Sequence, residues 1–246
     1  MNFDYRLALM TGVDIPIPEC QLTVKQPRVH EISMIGERVF NVGAQLLCID
    51  KEDFQDTLPI DNNFNLLMMV LKEEEAREKK EDLKVVLQLL LPSYQIIFTP
   101  RSILCKKGEE NLILDEGNFE SFQNIAKKIC GISKKTTEDG EIHEVYNPAN
   151  EKARKIAEKI YKGRAELAKR RAEANPDDSM FGRYISILTL GIPSMSLEDL
   201  ENLTVFQIMD LFERFTLKVQ SDINLKIRLA GGTSDQQTEN WMKPLH

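Results

Sequence analysis

Three short β-rich runs, Tyr94 to Phe98, Ser102 to Lys106 and Leu112 to Asp115, stand side by side, and no comparable strand signal recurs after residue 147. They are separated by Thr99-Pro100-Arg101 and Lys107-Gly108-Glu109-Glu110, spacings that suit an antiparallel meander. A sheet confined to one stretch of chain leaves helices to supply the rest of the core. The fold class expected is therefore α+β: mainly α-helical, with a small antiparallel β-meander in the N-terminal half and an all-helical C-terminal half.

The segments before the meander fit that plan. Up to Gln26 the chain alternates apolar and turn residues (Val13, Ile15, Pro16, Ile17, Pro18) and reads as an extended arm or short strand. Pro27 suits the first turn of a helix, where its missing N–H costs nothing. Val29, Ile32 and Ile35 then form one face, Gly36 interrupts, and Val39, Val42, Leu46 and Leu47 continue the period, giving a helix pair or one kinked helix. Lys51 to Asn63 reads as loop. The almost wholly charged run Lys72 to Asp82 joins the apolar blocks Phe64 to Leu71 and Leu83 to Leu91, as a solvated helix or connector does. Asn118 to Cys130 is a helix stopped by Gly131.

Residues 132–147 lack period and read as a linker between a mixed domain, 1–131, and a helical domain, 148–246. Beyond the linker, helix starts are explicit. Asn147-Pro148 and Asn175-Pro176 place a cap before proline, Thr204-x-x-Gln207 is a capping box, and Ser196-x-x-Asp199 is a weaker version of it.

Charge and motifs narrow the function classes. With 32 Lys and Arg against 39 Asp and Glu, the chain lacks the basic excess of a non-specific nucleic-acid binder. The first residues carry Asp4 and Arg6 where a signal peptide would be apolar, and the longest apolar run is too short and too interrupted to span a bilayer, so a soluble protein is expected. Cys20, Cys48, Cys105 and Cys130 are widely spaced beside apolar stretches, as buried thiols in a reducing compartment are. His30, His143 and His246 stand apart from one another and from any cysteine, so neither a metal site nor a cofactor is expected. No phosphate-binding, metalloprotease or nucleophile-elbow pattern occurs, and the expected class is not an enzyme.

Candidate binding residues come from the helical half. The helix from Asn150 to about Ala174 sets Ile156, Ile160, Gly163 and Leu167 on one stripe and surrounds it with bases, among them Arg164, Lys169, Arg170 and Arg171. That is either a solvated helix with i,i+4 pairs or a local basic surface for phosphate or an acidic partner. From Thr204 to Leu229, the series Val205, Ile208, Met209, Phe212, Phe215, Val219 and Ile223 reads as a core stripe. Asp210 with Arg214 and Asp222 with Lys226 are spaced to brace that helix. Trp241, alone in a polar tail, either docks back or anchors a partner.

The strings Asn147-Pro148-Ala149-Asn150-Glu151-Lys152-Ala153, Arg183-Tyr184-Ile185-Ser186-Ile187-Leu188, Thr204-Val205-Phe206-Gln207, Glu213-Arg214-Phe215, Arg228-Leu229-Ala230-Gly231-Gly232 and Asn240-Trp241-Met242-Lys243 resemble proteins of tailed phages and prophages of Gram-positive bacteria. Within that group the resemblance is to tail-module assembly proteins, in particular tail assembly chaperones. It implies no catalytic residue, and work in the host cytoplasm or in the virion. The implied partner is the tape measure or another tail protein, with self-association compatible. Partner-binding candidates are Arg164, Lys169, Arg170, Arg171, Asp210, Arg214, Arg228 and Trp241. A virion or neck structural protein, or a DNA-associated protein using the basic helix, are the alternatives.

Overall fold

The computed structural model describes residues 3–54, 61–73, 77–132 and 179–230. The expected helix 150–174, both Asn-Pro starts, nearly all of the linker, His143, His246 and Trp241 lie outside the described residues. By its contacts the chain falls into a unit of residues 1–132 with 184–246 and a second unit, 133–183. In the second, residues 179–183 are described, where the Ser179 hydroxyl accepts the Gly182 N–H at 2.8 Å.

The first unit begins with helix α1, Tyr5–Thr11, capped by Asp4, which accepts the Leu7 N–H at 2.9 Å. Gly12 ends it at φ +70°. Of the segment expected as an extended arm or short strand, the first part is instead this helix and the rest forms two short strands of a hairpin, β1 (Ile15–Ile17) and β2 (Leu22–Val24), paired antiparallel with Ile15 opposite Val24. Its period-two residues Ile15, Ile17, Leu22 and Val24 are all buried, and the turn residue Gln21 sits at φ +57°. The alternation was thus a real strand signal, folded back on itself.

Gly36, at φ +90°, separates α2 (Val29–Ile35) from α3 (Glu37–Leu47), so the helix pair is realised. Pro27 does not open α2. It lies in the extended segment before it, and its carbonyl accepts the Val205 N–H at 3.2 Å. The stretch expected as loop after residue 50 contains a 3-10 turn, Lys51–Phe54. Helix α4, Asn63–Val70, is capped by Asn62 and buries Phe64, Leu66, Leu67 and Met68. Helix α5, Arg77–Leu90, takes up the end of the charged run and packs on α3. The approach is close: a Cβ at Gly43 would stand 2.5 Å from the Asp82 carbonyl oxygen.

The expected meander follows as β3 (Gln95–Phe98), β4 (Ile103–Lys107) and β5 (Glu110–Leu114), antiparallel in the order β3-β4-β5. The second turn is tighter than expected, because pairing continues to Lys107 opposite Glu110 with Gly108 at φ +60° between them. Its inner face, Ile96, Ile103, Cys105 and Leu114, is buried. Asn118 joins the sheet to α6, Phe119–Ile129, by donating to the Ile113 carbonyl at 2.8 Å and accepting the Asp115 N–H at 3.1 Å. Gly131 at φ +68° then lets Ile132 N–H reach the Lys127 carbonyl at 2.8 Å, closing the helix end.

The C-terminal helices from residue 184 onward belong to the same unit as the sheet. They are α7 (Met180–Gly191), which crosses the unit boundary, α8 (Leu197–Glu201) and α9 (Val205–Leu229). Strand-like pairing makes the join. Arg28 bridges Thr204 antiparallel, and Val29 N–H donates to the Leu203 carbonyl at 3.0 Å. Where the sequence suggested separate domains on either side of residues 132–147, the segments 3–132 and 184–230 share one compact unit.

Candidate partner-binding surface

Helix α9 carries three of the candidate residues, and its start fixes its position. The Thr204 N–H donates to Gln207 Oε1 at 2.8 Å, while the Gln207 N–H donates back to Thr204 Oγ1 at 3.3 Å, the reciprocal cap read from sequence. Gln207 does more than cap. Its Nε2 donates to the Met10 carbonyl at 2.8 Å, which ties α9 to the end of α1. Ser196 and Asp199 make the corresponding box on α8, and the hydrogen bonds from Ser196 hold the Asp199 carboxyl below its ordinary range.

The first half of α9 is anchored on one face. Val205 and Ile208 are fully buried, Tyr184 stacks on Phe212 at 4.1 Å between centroids, and Gly191 leaves space for the Phe215 ring, which would stand 2.1 Å from a Cβ there. Met209 meets Gly131 at the end of α6 in the same way. The core stripe read from sequence stops here. Val219 and Ile223, expected to continue it, are exposed.

Among the candidate residues, Asp210 and Arg214 are brought together. Arg214 Nε donates to Asp210 Oδ2 at 2.7 Å and its NH2 group to Oδ1 at 3.2 Å, and Asp210 is buried. A buried carboxylate gripped by both arms of a guanidinium is a fixed brace. Arg228 falls in the last turn of α9, and Arg164, Lys169, Arg170, Arg171 and Trp241 lie outside the described residues. The expected Asp222–Lys226 pair is not formed. Asp222 instead meets Lys218 at 3.6 Å, because lysines stand four residues away on both sides of it and one carboxylate turns to one of them.

Elsewhere the polar groups serve the fold. Burial raises the Glu31 carboxyl, but hydrogen bonds from Lys25 and from the Arg28 N–H outweigh it and leave Glu31 below its usual range. A shallow depression beside β4 is lined by Gln88, Tyr94, Lys106 and Lys107, yet Gln88 donates to the Tyr94 carbonyl and Lys107 lies over the Tyr94 ring. The four cysteines are free and buried, and burial pushes the thiols of Cys48 and Cys105 up to about 12. Among the described residues no three His, Cys, Asp or Glu side chains cluster as metal ligands, and His30 is exposed on α2. No helix among them is long and apolar enough to cross a membrane.

Sequence reasoning missed that the apolar residues at the end of α9, Leu225, Ile227 and Leu229, are exposed, as Val219 and Ile223 are. Their spacing was visible, but whether anything covers them is a matter of tertiary structure.

Comparison with known proteins places a match on this part of the chain. A family model described as YomV second domain matches residues 174–246, less than a third of the length, and that name is of the phage and prophage type. No curated protein matches the chain, and no solved structure does.

Proposed function

We propose that this protein is a non-enzymatic assembly factor of a tailed phage or prophage, similar to a tail assembly chaperone that holds the tape measure protein before the tube polymerises. The observation that carries the reading is the likeness of residues 174–246 to a phage-type domain. The geometry is compatible with that work. Asp210 and Arg214 spend their charges on each other, and α9 is anchored at one end while presenting apolar side chains at the other. Presenting a firm helix with an open apolar side suits the capture of another helical segment. In this reading the partner is a tail protein, and the work takes place in the host cytoplasm.

Co-expression with the tape measure protein of the same genome tests it. A soluble complex that co-purifies at low and high salt is the expected result. Aggregation of the tape measure protein in the presence of this chain, with no complex at any salt concentration, would overturn it. Recovery of the chain from purified particles by mass spectrometry would favour a virion component instead.

A further inference from the structure

The stripe that is buried at the start of α9 runs on into Val219, Ile223 and Ile227, spaced i, i+4 and i+8, and there it lies open. The three side chains are 39%, 51% and 40% exposed. Leu225 and Leu229 are exposed as well, on the opposite side of the helix. The sequence that follows α9 has its own pattern. After Gly231-Gly232 come eight polar residues, Thr233 to Asn240, and only then the apolar Trp241, Met242 and Leu245.

We propose that residues 233–246, which lie outside the described residues, turn back along α9 and seat Trp241 on the stripe of Val219, Ile223 and Ile227. Reach and charge select this occupant. The glycine pair directly after the helix permits the chain to reverse. At about 1.5 Å per residue, Val219 stands ~15 Å back from Leu229 along the helix. At about 3.3 Å per residue, the chain from Gly232 to Trp241 spans up to ~30 Å, enough to make the turn and arrive there. Between Thr216 and Leu229 the helix carries Lys218, Lys226 and Arg228 against Asp222, whereas Asp235 and Glu239 are the charges of the polar stretch that would lie along it. The phage-type domain likeness runs over residues 174–246, helix and tail together. A segment joined to its site by a few residues also meets it at an effective concentration of about millimolar, which a second copy in dilute solution does not match. Leu225 and Leu229 stay open on the other side, so a docked tail leaves an apolar surface for a partner.

Trp241 is the one tryptophan of the chain, so its fluorescence reads the contact directly. In the full chain its emission should be blue-shifted and its quenching by acrylamide reduced relative to the chain in urea. Both should be constant from about 0.5 to 50 μM protein, well below the effective concentration of the tether. Val219→Asp and Ile223→Asp, at exposed positions and checked for unchanged helix content by circular dichroism, should each lower the ratio of docked to free tail about tenfold, as loss of a buried aliphatic side chain does. The double variant should be quenched nearly as fully as the chain in urea, and Leu225→Asp, on the opposite side, should change nothing. A native Trp241 quenched as in urea overturns the proposal. So does a protected Trp241 that the double variant does not expose, which places it elsewhere, or a blue shift that grows with protein concentration, which means pairing between copies.

Discussion

The side chain of Gln123 is fully buried and hydrogen-bonds Asn63 across 60 residues of chain, its Oε1 accepting the Asn63 Nδ2 at 2.7 Å. Its own Nε2 donates to the carbonyls of Leu47 and Ile49 at 3.0 and 2.7 Å. One amide on α6 thereby satisfies the end of α3 and the start of α4, with the bond to Leu47 buried and those to Ile49 and Asn63 partly buried.

Replacing that amide exposes the cost of the arrangement. Gln123→Leu keeps the volume but orphans two carbonyls and an amide group. Each buried polar group left unpaired costs about 1–3 kcal/mol, so a loss of about 2–4 kcal/mol is expected after relaxation. Urea unfolding followed by circular dichroism reads it as a lower midpoint with an unchanged slope. A variant as stable as the parent would mean that the three-way bond is not formed in solution.

Gly43 carries the contact between α3 and α5. Alanine favours a helix over glycine by about 1 kcal/mol, yet here its Cβ meets the Asp82 carbonyl oxygen at 2.5 Å and Val86 at 2.6 Å. Backbone cannot move aside as a side-chain tip can. Overpacking of this kind costs about 1–3 kcal/mol, enough to reverse the propensity gain. Gly43→Ala should lower the thermal midpoint, and a rise would show that α3 and α5 stand further apart.

The cap of α9 makes a cooperative prediction. Thr204 and Gln207 hold each other, and Gln207 also reaches Met10, 197 residues away. Thr204→Ala should cost about 1 kcal/mol, as loss of a helix cap typically does. Because the residues share one network, the double variant with Gln207→Ala should lose less than the sum of the singles, by about 0.5 kcal/mol or more. Strict additivity in a double-mutant cycle would remove the capping box.

Local signals account for what the sequence revealed. The meander, the Asn118 to Gly131 helix and both capping boxes rest on residues within a few positions of each other, so spacing alone specified them. The Asp210–Arg214 brace was readable for the same reason. Asp222 was not, since Lys218 and Lys226 offer it equal spacing. The hairpin at Ile15 to Val24 has strands of only three residues with proline in one, too short to separate from an extended arm. Nothing local announced that Arg28 would pair with Thr204, that Gln26 would donate to the Ala8 and Val13 carbonyls, or that Gln123 would be buried. Those contacts are long-range, and the Arg28–Thr204 pairing joins the helices from residue 184 to the unit that holds the sheet.

The cysteines link burial to pH. Cys48 and Cys105 are pushed from 9.0 up to about 12, mainly by loss of water around the thiolate, and Cys130 is raised for the same reason. Below pH 9 these thiols are protonated in both the folded and the unfolded chain, and the folded state loses nothing. Above pH 9 the unfolded chain releases their protons while the folded chain keeps them. Stability must therefore fall between pH 9 and about 12, by up to about 1.4 kcal/mol per pH unit for each thiol. Urea midpoints at pH 8, 9.5 and 10.5 measure the fall, and Cys48→Ala should make it shallower. At pH 8 a thiol reagent such as Ellman's should label none of the four in the native protein and all four in urea, because the reactive species is the thiolate. Rapid native labelling, or a pH dependence unchanged in Cys48→Ala, would show these thiols to be reached by water.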